Sequence, residues 1–520
     1  MISTGSLSTV RPLRPPVAGA LGSEDELPRV AVRRIVLGTA GLAVALGAIG
    51  LFVNAAVGTL LVLVGLAVWV WRAPVRGLYL MAGACALVQE FPLGFPDSLT
   101  DQIPLWRNLD SSGSGVPVGL SPFDAILGTV IVIAALRGLF AGRLRLSAGR
   151  LNAPYYLYGG ALLFGLLNGL MTGGQLNLAE WALRPQFYGL LVFLVASAVL
   201  RERRQLVTLV VVFVTAEIMT AVLGDWRYLF TLQRNVAAIQ SLLAHEDSYF
   251  LLLLLVVMGS ALVWARGRRT RLLLLLLAPL PVLALIENNR RAGIDAAGIT
   301  FIVFMVLVIR YRPQARKWAI PIAALGAGAY GAIVASSWNA QFGTRAALVS
   351  PVRSVLGQAS KRDLSSDAYR IAENANLAFT YHLSPITGWG LGKDFLAPVP
   401  MVNIGNIYSL YLLLPHNSLL WVPMALGGIG MVAFWALVGC GVMESIHAMR
   451  TPGDRLVQAA GLVCACGIVA ELCFAYADLQ LMNPRNMVTF GMLLGIANVL
   501  PRLAACRRGA APAKEFRDVR

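Results

Sequence analysis

Polar residues in front of an apolar segment supply the best candidate for acid–base chemistry. The sequence Pro415-His416-Asn417-Ser418 leads into an apolar run that is predicted to be a helix. A neutral imidazole, with an ordinary pKa of about 6.5, can accept a hydroxyl proton, and the positive end of a helix dipole favours the neutral form. His416 is therefore a candidate general base. The alternative is a structural cluster in which Asn417 and Ser418 only cap the exposed N–H groups of the helix.

Two adjacent arginines form a second constellation. Arg290 and Arg291 lie in the short segment Glu287–Gly293, between two very apolar runs, and Asp295 follows. Arginine is costly near the hydrocarbon of a membrane and calls for a partner. A planar guanidinium binds phosphate oxygens through two parallel hydrogen bonds, so these residues could hold a diphosphate. The alternative is a structural salt bridge to Glu287 or Asp295.

Other charged residues in the polar connections could contribute to the same site. Arg234 lies in Gln233-Arg-Asn-Val, and Arg370 ends the segment Ser365-Ser-Asp-Ala-Tyr-Arg. Both could contact phosphate or sugar, although arginines of this kind are also common on solvated loop helices, the interpretation favoured for Arg353. Further residues of interest are His245, Glu246, Asp247, Asp478, Arg485 and the intramembrane acid Glu471. The three at 245–247 also fit an ordinary polar helix start.

Three glycines alternate in Ser384-Pro-Ile-Thr-Gly-Trp-Gly-Leu-Gly-Lys-Asp-Phe395. Gly388, Gly390 and Gly392 permit positive φ angles without steric cost, which is typical of a structural turn. Nothing places them between a strand and a helix, so they are not a dinucleotide-binding fingerprint. Their order relative to His416 is more informative than the glycines themselves.

The order of these motifs resembles that of the O-antigen ligase and Wzy-type O-antigen polymerase family of bacterial envelope enzymes. An arginine precedes the P-x-x-G-x-G-x-G turn, Pro415-His-Asn-Ser-Leu-Leu420 opens a helix, and Gly427-Gly-Ile-Gly430 follows. The resemblance covers roughly residues 280–500. Within it, Arg291-Ala-Gly fits the family's arginine element best, but the doubled arginine leaves open whether Arg290 or Arg291 carries that role.

The resemblance implies a GT-C-like membrane glycosyltransferase that takes a glycan from a polyprenyl diphosphate, such as undecaprenyl diphosphate, without metal or cofactor and with inversion. The acceptor would be a lipid, a glycan or a protein, and nucleic acid is not expected. His416 would be catalytic. The substrate-binding residues would be Arg234, Arg290, Arg291, Arg370, Gly388, Gly390 and Asn417.

Composition indicates a chain whose main solvent is lipid. It is 57% hydrophobic and 13% charged, with a mean hydropathy of +0.70. Apolar runs long enough to cross a hydrocarbon core of about 30 Å recur along it. The sequence therefore predicts an all-α polytopic membrane protein with about 14 transmembrane helices. Their predicted bounds are 35–53, 55–71, 77–90, 121–140, 154–171, 183–200, 205–223, 248–265, 270–286, 294–310, 317–336, 417–440, 456–477 and 485–501.

Basic residues predict the orientation of these helices. The net charge of +17 comes largely from arginine clusters at every second connection, which the positive-inside rule assigns to the cytosol together with both termini. We expect a cytosolic tail over 1–34, helices over 35–336, one long external loop over 337–415, helices over 416–501 and a basic tail over 502–520. The candidate residues then face the outside of a bacterial inner membrane. The six cysteines show no disulfide or metal-ligand pattern.

Two other classes of function remain possible on the sequence alone. A transporter or flippase for a lipid-linked oligosaccharide or an anion could use the same arginines to bind cargo. Such a protein usually has charged or helix-breaking sites near the membrane midplane, whereas here they cluster in the external connections. A metal-dependent polyprenyl-phosphate glycosyltransferase is the third class, and it would need an acidic pair soon after the first span, which this chain lacks.

Overall fold

The chain folds into a bundle of helices. The computed structural model describes residues 55–90, 93–95, 100–108, 119–140, 149–234, 241–265, 267–340, 343–358, 360–406 and 408–507. No strand occurs among these residues. The α-helices are α1 Ala55–Arg72, α2 Val75–Leu87, α3 Pro122–Phe140, α4 Asn152–Met171, α5 Leu176–Val199, α6 Arg203–Trp226, α7 Asp247–Trp264, α8 Arg268–Leu277, α9 Pro279–Glu287, α10 Arg291–Tyr311, α11 Arg316–Ser336, α12 Gly343–Val355, α13 Lys361–Leu383, α14 Ser418–Met449, α15 Arg455–Ala477 and α16 Pro484–Arg507.

Ten helical segments in the described part of the chain are long and apolar enough to cross a membrane. Their burial ranges widely. In the apolar window of Pro484–Ala505 89% of the residues are buried, against 6% in that of Pro313–Ser336. On the latter helix Leu325 is 77% exposed and Ile320 54%. Exposed apolar faces of this extent suit contact with lipid, so α16 is a central helix and α11 a peripheral one. This is the architecture of a polytopic membrane protein.

Helices occur at every predicted segment that the structure describes, with different ends. The predicted span 35–53 lies outside the described residues, as does the tail over 1–34. The span predicted at 270–286 is divided into α8 and α9 because Pro279 has no N–H for the helical ladder. The helix predicted at 417–440 continues to Met449, and the last helix continues to Arg507, into the predicted tail. The long connection over 337–415 contains two helices, α12 and α13.

One end of the bundle, which we name the His416 end, brings distant connections together. It comprises the described parts of 88–121, 227–246, 288–290, 337–417 and 478–483. His245 Nδ1 lies 3.6 Å from Asp478 Oδ2, and the Thr344 hydroxyl donates to Glu287 Oε1 at 2.7 Å. These are the connections that the sequence predicts to share one side of the membrane.

The opposite end, which we name the basic end, carries the arginine clusters. Arg203 forms an ion pair with Asp454, with 2.9 Å between Nη2 and Oδ1. Arg502 Nη2 donates to the carbonyl of Ser197 at 2.7 Å. The helices thus alternate in direction as the basic connections predict, and candidate chemistry and basic clusters lie at different ends.

Candidate functional site

His416 is held by a buried glutamate that comes from the long connection. Both oxygens of Glu373 on α13 accept from it: Oε2 from the backbone N–H at 3.0 Å and Oε1 from ring Nδ1 at 3.1 Å. The Glu373 side chain is 1% exposed and that of His416 is 24% exposed. A carboxylate can only accept, so Nδ1 is the donor in this contact, and in a neutral ring Nε2 then carries the lone pair. The geometry therefore orients His416 as a base.

The cap of α14 is formed by Asn417. Its Oδ1 accepts from the backbone N–H of Leu420 at 3.0 Å, and its Nδ2 donates to Asn374 Oδ1 at 3.0 Å. Asn417 is 5% exposed. Capping and base chemistry are thus assigned to neighbouring residues, because the imidazole of His416 takes no part in the cap. The predicted contact between Asn417 and substrate stays a prediction.

The carboxylate of Asp478 interacts with several basic side chains of the His416 end. Burial alone raises the pKa of Asp478, but the contact with His245 and the electrostatic interactions with His245, His416 and Arg370 lower it below its ordinary range. Arg370 lies one turn before Glu373 on α13 and is half-buried. Its guanidinium has no hydrogen bond or ion pair to another residue in the described part of the chain. Arg370 can therefore receive an anion at the His416 end of the bundle.

Arg291 has a different environment from Arg370. Its guanidinium forms a bidentate ion pair with Asp367 on α13 and donates to Ser354 Oγ at 2.6 Å. The predicted structural partners were Glu287 and Asp295, whereas the observed partner comes from the long connection. The ion pair between Arg291 and Asp367 thus holds α13 against the start of α10.

The other two predicted arginines lie at connection ends. Arg290 directly precedes α10 and has an extended backbone. Arg234 is exposed, has a φ of 67°, and donates its backbone N–H to the Tyr228 carbonyl at 2.8 Å. The roles of Arg290 and Arg234 as diphosphate ligands stay predictions.

The glycine-rich segment is buried between two helices. Trp389 and Gly390 donate backbone N–H groups to the carbonyls of Met424 and Ala425 on α14, at 2.8 and 3.0 Å. Gly388 and Gly390 have φ angles of 78° and 91°. A Cβ on Gly390 would lie 2.5 Å from Gly169 Cα on α4.

Helix α14 has a glycine at the point where the glycine-rich segment packs against it. Gly427 interrupts α14 with a φ of 68°, and a Cβ there would lie 2.1 Å from the Ile386 carbonyl oxygen. These glycines fit the structural interpretation of a tight turn. Substrate contact by Gly388 and Gly390 stays a prediction, and the observed role of the segment is to set the position of α14, which His416 precedes.

His245 and Glu246, which precede α7, contact the connection between α15 and α16. Besides the contact between His245 and Asp478, Glu246 Oε1 accepts from Asn483 Nδ2 at 2.9 Å. The same Asn483 nitrogen donates to Glu90 Oε2 at 2.6 Å. Burial, followed by the nearby carboxylate of Glu246, raises the pKa of Glu90, which lies beyond the end of α2, to about 8.

A buried ion pair lies behind this polar layer. Arg485 Nη2 donates to Asp247 Oδ1 at 2.6 Å, and both side chains are 0% exposed. Glu471, the intramembrane acid, accepts from Asn486 Nδ2 at 3.0 Å and is also fully buried. These residues form internal contacts that hold α7, α15 and α16 together, rather than lining the His416 site.

Sequence reasoning missed Glu373, Glu90, Asn483 and Asp367 as parts of this region. The available signal for Glu373 was its place one helical turn after Arg370, within a polar segment of an otherwise apolar chain. Among the described residues, no group of three or more His, Cys, Asp or Glu side chains is arranged to hold a metal ion.

Comparison with known proteins gives no assignment. No model of a known protein family matches this chain, and no curated protein matches it.

Proposed function

We propose that this chain is a membrane glycosyltransferase that moves or polymerises a glycan from a polyprenyl-diphosphate carrier onto an acceptor hydroxyl. The reaction is that of an O-antigen ligase or polymerase. It takes place at the His416 end, which faces the outside of a bacterial inner membrane. About 14 spans and a GT-C-like fold belong to the same proposal.

One observation carries this proposal: a half-buried histidine is oriented by a buried glutamate, and the half-buried guanidinium of Arg370, which has no hydrogen bond or ion pair to another described residue, lies on the same helix as that glutamate. Glu373 fixes the proton on Nδ1 of His416, which leaves Nε2 to accept a proton from an acceptor hydroxyl. Arg370 supplies a positive charge where a leaving diphosphate gains negative charge. The transfer requires a base and an anion site at the same end of the bundle, and Glu373 and Arg370 on α13 supply the residue that orients the base and the cation of the anion site.

The proposed transfer is a single displacement. The acceptor oxygen gives its proton to His416 Nε2 and forms a bond to the anomeric carbon. The bond between that carbon and the diphosphate oxygen breaks, and the electron pair leaves with the polyprenyl diphosphate. One displacement inverts the configuration of the anomeric carbon. The guanidinium groups offset the charge of the leaving group, so we predict activity without a divalent metal.

The contacts rank the arginines for this role. Arg291 already pairs with Asp367, and a diphosphate would have to displace that carboxylate. Arg370 forms no ion pair with a described residue and interacts with the carboxylates of Asp478 and Asp295 only at longer range. We therefore assign the first diphosphate contact to Arg370. Arg290, Arg291 and Arg234 stay as secondary ligands of the carrier.

Gene deletion tests the proposal in cells. We expect a polyprenyl-diphosphate-linked glycan to accumulate in the deletion strain, and a gene for the intact chain to remove it. His416→Ala should fail to do so while the protein still inserts in the membrane. The matched control is His447→Ala, because His447 lies on α14 at the basic end. Complementation by His416→Ala to the same level as by His447→Ala would refute the base assignment.

A further inference from the structure

A cavity of about 430 Å³ opens at the basic end. It lies among α3, α5 and the turn between α1 and α2, on the opposite side of the bundle from His416. Most of its wall is aliphatic, including Ile131, Leu191 and Val195. This volume falls in the range of about 300–1,000 Å³ that is typical of small-molecule sites.

The cavity combines its apolar wall with three positive charges. Arg72, Arg137 and Arg201 line it, each at the C-terminal end of a different helix, and none of the described residues that line it is acidic. Because α1, α3 and α5 all end at this level, the guanidiniums belong to one layer at the basic end, whereas the aliphatic residues lie on the helices themselves. An amphipathic ligand with an anionic head matches this division.

The three guanidiniums keep free hydrogen-bonding capacity. Arg137 donates one N–H to the Trp71 carbonyl, and Arg201 Nε donates to the Ala198 carbonyl at 3.2 Å. Arg72 is exposed and its side chain has no hydrogen bond to another residue in the part of the chain that the structure describes. A guanidinium has five N–H donors, so several remain for a phosphate group.

We infer that this cavity binds an anionic phospholipid, with its phosphate among the three arginines and one acyl chain along the aliphatic wall. Basic pockets between helices at a membrane surface are suited to anionic head groups. A free phosphate ion would leave the aliphatic wall without a partner, and a zwitterionic lipid would bring a positive group toward three arginines. The site is separate from the His416 end and does not depend on the proposed reaction.

Native mass spectrometry of the purified full chain tests this inference, with dioleoylphosphatidylglycerol and dioleoylphosphatidylcholine as probes. We expect retention of the anionic lipid to exceed that of the zwitterionic lipid, and the triple variant Arg72→Gln, Arg137→Gln, Arg201→Gln to lower its affinity roughly tenfold or more. Arg204→Gln is the matched control, since Arg204 is exposed in the first turn of α6, three residues after Arg201, but does not line the cavity. Equal affinity of wild type and triple variant would overturn the inference.

A second variant separates the lipid chain from its head group. Ala135→Trp fills the cavity from α3 while all three arginines remain, and we expect it to lower phosphatidylglycerol affinity as well. Excess inorganic phosphate should leave lipid retention unchanged. Displacement by phosphate alone, or unchanged affinity in Ala135→Trp, would show that the aliphatic wall contributes nothing and would refute a lipid site.

Discussion

Substitution of Glu373 by glutamine gives the sharpest test of how His416 is oriented. The change keeps the shape of the side chain but removes the charge that faces Nδ1. When Nε2 takes a proton, the ring becomes positive and the hydrogen bond from Nδ1 to the carboxylate strengthens. Hydrogen bonds to charged groups contribute about 1.5–3 kcal/mol. Because about 1.36 kcal/mol corresponds to a factor of ten in rate, we expect kcat to fall about 10- to 150-fold.

Steady-state transfer assays with purified protein in lipid nanodiscs measure this effect. We expect the KM for the lipid-linked donor to change little, because the donor is bound by arginines and not by Glu373. Asp363→Asn is the control: it removes a carboxylate from the same helix, where Asp363 Oδ2 accepts from Ser350 Oγ at 2.9 Å. A kcat for Glu373→Gln equal to that of wild type, or an equal loss in Asp363→Asn, would refute the positioning role.

Three further predictions concern stability. The pKa of Glu90 is raised to about 8 from an ordinary 4.5. The free energy of unfolding should therefore fall as pH rises between these two values, because only the unfolded state ionises there. Denaturation of Glu90→Gln at the same pH values should lack this fall. Gly390→Ala should lower the melting temperature, because the added Cβ would lie 2.5 Å from the Cα of Gly169. Gly326→Ala is the control and should leave the melting temperature unchanged, since no atom lies within 4 Å of a Cβ at that position. Asp367→Asn should loosen the contact of α13 with Arg291, which faster hydrogen exchange in α13 would report.

The helices could be predicted from the sequence because lipid imposes a length on each apolar run. The described helices cover the predicted segments, whereas α12 and α13 lie in the predicted long loop. The basic connections of Arg203 and Arg455 share one end of the bundle, and their assignment to the cytosol stays a prediction. The ends of the helices were less predictable. The break at Pro279 depends on the missing N–H of proline, and α14 extends to Met449, nine residues beyond its predicted end.

The partners within the candidate site could not be predicted, since they come from distant parts of the chain. Glu373 precedes His416 by 43 residues, and Asp367 follows Arg291 by 76. A local pattern identifies a candidate base or cation, but not the carboxylate that orients or neutralises it. The glycine-rich segment illustrates the same limit, because its closest contacts are with α4 and α14.

The central claim is that the His416 end cleaves a glycan from a polyprenyl diphosphate and joins it to an acceptor. Mass spectrometry of a reaction with purified protein, extracted lipid-linked glycan and acceptor in nanodiscs measures both products. We predict that wild-type protein forms free polyprenyl diphosphate and glycosylated acceptor in equal amounts, and that His416→Ala forms neither. Donor that crosses the bilayer intact without bond cleavage would contradict the claim and support a transporter.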